Sequence, residues 1–103
     1  MMETTDKNLL ILLIYKSTME NIIMEYLEDT EITYYTRWHQ VQGRGSSSDP
    51  HFDDHVWPGT NNVLAIAGTM KEKEIVFRIV SVLKQKLPGE GIKAISLPVE
   101  DFT

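Results

Sequence analysis

The 103-residue chain contains no cysteine, so it has no disulfide framework, no thiolate nucleophile and no sulfur-rich metal site. That fits a reducing compartment, and a cytoplasmic location is expected. Positive charge is also scarce: 10 Lys and Arg stand against 15 Asp and Glu, a formal charge of -5. Tight binding to nucleic acid needs clustered cations that release counterions, so this balance argues against it. Long apolar runs are missing too. The longest, Leu9 to Tyr15, falls far short of the roughly 20 residues that span a bilayer, and no basic flank or cleavage site surrounds it. The chain is expected not to span a membrane. With 42% hydrophobic and 24% charged residues the composition is globular, and the length fits one domain over 1–103.

The pattern of apolar residues predicts the elements. Asn8 to Tyr15 is an unbroken apolar run of strand length, which requires cover on both faces. Ser17-Thr18-Met19-Glu20 has the form of a capping box, in which hydroxyl and carboxylate satisfy free amides at a helix start. The helix it predicts runs to about Asp29. Met19, Ile22, Ile23, Tyr26 and Leu27 form its apolar stripe. Ile32 to Gln42, rich in β-branched and aromatic residues, predicts a second strand, and Asn62 to Gly68 a third. Thr69-Met70-Lys71-Glu72 repeats the capping pattern ahead of a second helix with its stripe on Val76, Ile79, Val80, Leu83 and Leu87. Lys71 and Lys73 alternate with Glu72 and Glu74, and Lys84 and Lys86 flank Gln85, as on a solvated face. Pro88 and Gly89 stop it, and Ile92 to Leu97 predicts the fourth strand.

The order βαββαβ predicts an α+β, ferredoxin-like domain: a four-stranded antiparallel sheet with two helices on one face. Two helices cover only one side, yet the first and third strands carry apolar residues on both. A bare apolar sheet face is larger than monomers tolerate, so an oligomer that buries it is expected.

Residues 38 to 62 gather all three histidines, both tryptophans and three of the six glycines. Within them, the stretch from Gly43 to Asn61 is rich in Gly, Ser, Asp and Pro, and loops this long in a small domain are usually functional or disordered. His51-Phe52-Asp53-Asp54-His55 offers imidazole and carboxylate ligands suited to a divalent transition metal, with His39 just before the loop. His51, His55, Asp54 and His39, with Asp53 beside them, are therefore candidate metal ligands. The plainer alternative is that His51 and His55 are solvated or hold the loop's shape, and that His39 lines one face of a strand. Trp38 and Trp57 read as packing anchors.

Two further stretches carry a family resemblance. Gly43-Arg44-Gly45 at the end of the second strand resembles the G-x-G that opens the T-loop of nitrogen-regulatory PII signalling proteins. Gly89-Glu90-Gly91-Ile92-Lys93, followed by Ile95-Ser96-Leu97-Pro98-Val99-Glu100, is similar to their B-loop and fourth strand, typically Gly-Asp-Gly-Lys and then a strand ending Leu-Pro-Val-Glu. The resemblance covers nearly the whole chain. It implies a non-enzymatic regulator: a homotrimer whose intersubunit clefts bind a small anionic effector, usually an adenine nucleotide, and whose loop 43–61 signals to a target protein such as a transporter or metabolic enzyme. Carried over, the effector residues are Gly43, Gly45, Gly89, Gly91 and Lys93. Glycines let backbone amides approach phosphate oxygens, and a nearby Lys neutralises charge.

The sequence also departs from the family. Ile92 stands where the family has its B-loop lysine, and Lys93, one position later, is expected on the opposite face of the strand. The chain ends at Asp101-Phe102-Thr103 without the basic extension of typical members, and the loop has neither Tyr nor Cys as a modification acceptor. The alternative reading is a metal-binding or metal-sensing trimer built on the histidine-rich loop. A metal-dependent hydrolase using the same residues is a third reading, for which no separate nucleophile and base are visible.

Overall fold

In the computed structural model, which describes residues 8–43 and 60–103, four strands form one antiparallel sheet in the order β2-β3-β1-β4. In chain order the elements are β1 (Leu9–Lys16), a 3-10 turn (Ser17–Met19), α1 (Glu20–Glu28), β2 (Thr36–Gln42), β3 (Thr60–Gly68), α2 (Met70–Lys86) and β4 (Ile92–Pro98). This is the expected βαββαβ, ferredoxin-like arrangement.

Alternation along the central strands separates two faces. Ile11, Leu13 and Tyr15 of β1 and Leu64 and Ile66 of β3 are fully or almost fully buried beneath the helices. Ile23 and Leu27 of α1, and Val76, Ile79, Val80 and Leu83 of α2, close the core from above. The residues between them face the other way. Leu10, Leu12 and Ile14 lie opposite Ala67, Ala65 and Val63 on one side and opposite Leu97, Ile95 and Lys93 on the other. Trp38 of β2 extends this face beside Val63 and is half exposed. Among the described residues the second face is therefore largely apolar and no helix covers it, as the strand pattern requires.

The two capping boxes have different fates. At α2 the box forms: Glu72 Oε1 accepts from the Thr69 amide at 2.7 Å and from its hydroxyl at 2.6 Å, and the Lys71 amide donates to Thr69 Oγ1 at 3.1 Å. At the first helix it does not form. Ser17 lies in the 3-10 turn, makes no cap bond and instead shares a 2.7 Å hydrogen bond with Thr60 Oγ1. Glu20 opens α1 itself and turns to buried polar groups of the sheet. Those groups have no water to fall back on, whereas a helix-end amide does, so they outcompete the cap.

The second strand begins at Thr36, four residues later than its composition predicts. Ile32 is instead a buried core residue, and residues 33–35 run on without strand pairing. The third strand starts two residues earlier, at Thr60, and the fourth continues to Pro98. Among the described residues no helix is long and apolar enough to cross a membrane.

Candidate functional site

The ends of β1 and β2 and the starts of β3 and β4 lie at one end of the sheet, and the described candidate glycines Gly43, Gly89 and Gly91 belong to this end. Val41 lies opposite Asn61, Asn61 opposite Lys16, and the Lys16 amide donates to the Gly91 carbonyl at 3.0 Å. A row thus runs from Val41, two residues before Gly43, across β3 and β1 to Gly91. Because β2 and β4 are the outer strands, Val41 and Gly91 stand at opposite ends of the row, roughly 14 Å apart at about 4.8 Å per strand step, and Gly43 lies two residues beyond Val41, farther still from Gly91.

The glycines differ in what their missing side chain permits. Gly89 has φ of +95°, a conformation that disfavours any residue with a Cβ, and it forms the turn after α2. A Cβ at Gly43 would sit 3.1 Å from Asn61 Nδ2, a close approach. A Cβ at Gly91 would meet nothing within 4 Å, so nothing in the described chain requires glycine there. Ile92 faces the core and is buried, which turns the neighbouring Lys93 to the open face opposite Ile14. Lys93 is exposed there, on the face expected from strand alternation.

Gly45, His51, Asp53, Asp54, His55 and Trp57 lie outside the described residues. His39 is described and exposed on β2. Among the described residues no group of three or more His, Cys, Asp or Glu could hold a metal ion. A groove of about 530 Å³, lined by Leu10, Thr33, Tyr34, Tyr35, Ala67 and Phe102 among others, opens at the far end of the sheet, away from the candidate glycines.

Beside the glycine row lies a polar cluster that the motifs do not announce. Glu20 Oε1 accepts from the Tyr15 hydroxyl at 2.6 Å and from Asn62 Nδ2 at 2.7 Å, and its Oε2 pairs with Arg37 Nη1 at 2.8 Å. Asn62 Oδ1 in turn accepts from the Gln40 amide at 2.9 Å. Tyr15 is fully buried and Asn62 only 2% exposed, so the cluster satisfies polar groups that would otherwise be stranded. Burial alone would push the Glu20 carboxyl up. Hydrogen bonds from Tyr15 and Asn62, with the charges of Arg37 and His39, outweigh it and hold the group below its ordinary value. Burial pushes the Tyr15 hydroxyl well above the usual phenol range, and the adjacent Glu20 carboxylate adds to this. A signal for the cluster exists in the sequence: Tyr15 is in phase with Ile11 and Leu13, so its hydroxyl enters the core and needs a partner.

Comparison with known proteins finds likeness at the level of the fold. No family model and no curated protein matches the chain. Among solved structures, CPII of Thiomonas intermedia K12, a nitrogen regulatory PII-like protein bound to ADP, AMP and bicarbonate, matches with TM-score 0.63 and 10% identity over 93% of each chain. A protein of Thermus thermophilus described as a PII-like signaling protein matches with TM-score 0.57 and 22% identity, over 89% of this chain and 86% of the other. CPII bound to ADP, AMP and acetate matches with TM-score 0.58 and 11% identity, over 91% and 89%. The chain has the fold of the PII-like signalling proteins.

Proposed function

We propose that the protein is a divergent, non-enzymatic PII-like regulator that binds a small anionic effector in clefts between the subunits of a homotrimer. The observation that carries this reading is the placement of Gly43 and Gly91 at the same end of the sheet, beside its two opposite outer strands. A single chain leaves them too far apart to share a small ligand, whereas a neighbouring chain can set its β4 edge against this chain's β2 edge. Gly91, with open space where a side chain would be, then lets its backbone approach the ligand.

The uncovered apolar face supports the assembly. Leu10, Leu12, Ile14, Val63, Ile95 and Leu97 are the inner residues of an interface, and three copies bury them around one axis. Lys93 projects from the same face and brings positive charge towards a neighbour's cleft. An adenine nucleotide is the effector of choice because CPII, with this fold, holds ADP and AMP. Loop 43–61 reports occupancy to a target protein, through an effector affinity that differs between loop states.

Calorimetry with ATP, ADP, AMP and cyclic nucleotides tests the proposal. The expected result is saturable binding of at least one of them, weakened by Gly91→Ala without loss of the fold. Failure of every nucleotide to bind the folded oligomer overturns the nucleotide assignment.

A further inference from the structure

β2 does not pair evenly with β3. Trp38 lies opposite Val63 and Val41 opposite Asn61, so two residues, His39 and Gln40, face the single residue Asn62. This is a β-bulge, and at its centre Gln40 has φ of +56°, a left-handed conformation uncommon for a residue with a side chain. The bulge therefore carries backbone strain, and something must select it over the even register.

Burial does not make the selection. From Trp38 to Gly43 every residue except Val41 is exposed, Trp38 by about half, and strand register is weakly specified where neither face is covered. The fixed element is Asn62. Its carbonyl oxygen accepts the Gln40 amide, and its amide is anchored on Glu20, which also grips Arg37 of the same strand. The hydrogen bonds form a closed circuit: β2 at Arg37, α1 at Glu20, β3 at Asn62, and β2 again at Gln40.

We propose that β2 has two registers on β3, bulged and even, and that the Glu20–Asn62 hydrogen bond selects the bulged one by holding the Asn62 carbonyl on the Gln40 amide. In the even register Gln40 lies opposite Asn61 and Val41 opposite Thr60. Val41 then turns from the open face to the helix face, and the strand beyond Trp38 advances by one residue, about 3.3 Å. The element sits three residues before Gly43, so it fixes the direction in which the chain leaves the sheet. Glu20 and Asn62 are positioning residues, and the proposal rests on no particular effector.

Engineered cysteine pairs read the register directly, because the chain has no cysteine of its own. Directly opposed residues of antiparallel strands lie within disulfide reach. Val41→Cys with Asn61→Cys reports the bulged register, and Gln40→Cys with Asn61→Cys the even one. In the otherwise unchanged protein the first pair should oxidise and the second should not. Asn62→Leu, which removes the acceptor, and Glu20→Ala, which removes its anchor, should each shift the ratio of the two yields at least tenfold towards the second pair. General loosening would lower both yields instead of exchanging them. If the ratio is unchanged in both variants the proposal is overturned, and if Asn62→Leu does not fold, the milder Glu20→Ala decides alone.

Discussion

Replacing Leu97 by Asp tests the uncovered sheet face most directly. Leu97 sits on β4 opposite Leu10, with 41% of its surface still exposed, and Ile95 beside it, opposite Leu12, is 40% exposed. Fully burying a leucine is worth about 1.5–3 kcal/mol, so covering the remaining two-fifths contributes roughly 0.6–1.2 kcal/mol per copy. An aspartate in the same place loses that term and must also leave water, at an effective cost of several kcal/mol for an unpaired charge in an interface. The penalty recurs in every subunit, so a trimer loses about 10 kcal/mol or more of association free energy. The substitution should leave an isolated chain nearly untouched, because the core lies on the other side of the sheet. Sedimentation equilibrium should find the parent as trimers and Leu97→Asp as monomers across micromolar concentrations. Unfolding midpoints should depend on protein concentration in the parent only. A parent that sediments as a monomer, or a Leu97→Asp protein that stays trimeric, refutes the assignment of this face as the subunit interface.

Three further outcomes follow from the local chemistry. Thr69→Ala should cost about 1 kcal/mol in urea unfolding through the lost α2 cap, whereas Ser17→Ala should cost only what Thr60→Val costs, since each removes the same hydrogen bond. Gly89→Ala should destabilise by about 1 kcal/mol or more because of its positive φ, while Gly91→Ala should leave the urea midpoint within about 0.5 kcal/mol of the parent. For pH, the lowered Glu20 value means stability that is present above the unfolded carboxyl value of about 4.3 and is lost as pH falls through the folded value. The raised Tyr15 value means stability that is present below about pH 10 and is lost as pH rises beyond it. Urea midpoints across pH should therefore hold a plateau between these limits, and Glu20→Gln should flatten the acid limb.

Periodicity exposed the architecture because apolar spacing is enforced at every turn of α2 and every second residue of β1 and β3. The run from Ile11 to Tyr15 and the stripe from Val76 to Leu83 allowed one arrangement of layers. Local motifs were less reliable, since a motif states what a segment can do alone. Ser17 to Glu20 has every residue of a capping box, yet the tertiary demands of Tyr15 and Asn62 took its carboxylate, while Thr69 to Glu72 faced no such competitor. The second strand starts later than its composition predicts for a related reason. Ile32 has the composition of a strand residue but is drawn into the core under the helices, so β2 pairs with β3 only from Thr36 onward. Of the candidate site, Gly89 and Gly91 were legible as a turn and Lys93 as facing away from the core. The neighbourhood of Gly43 and Gly91 was not, because sheet order brings residues far apart in sequence into one row.

The polar cluster of Tyr15, Glu20, Arg37 and Asn62 also constrains how such a chain can change over descent. Each member is costlier to keep once another is gone: Asn62 without Glu20 leaves a buried amide unmet, and Glu20 without Arg37 leaves a partly sheltered charge unbalanced. Single substitutions are therefore penalised more than coordinated ones, since exchanging a whole buried polar set for apolar groups of similar volume is often neutral. The four positions should behave as one inherited character, kept whole or exchanged whole. Descendants that exchange it would also lose the bulge in β2, and with it the direction in which this chain leaves its sheet.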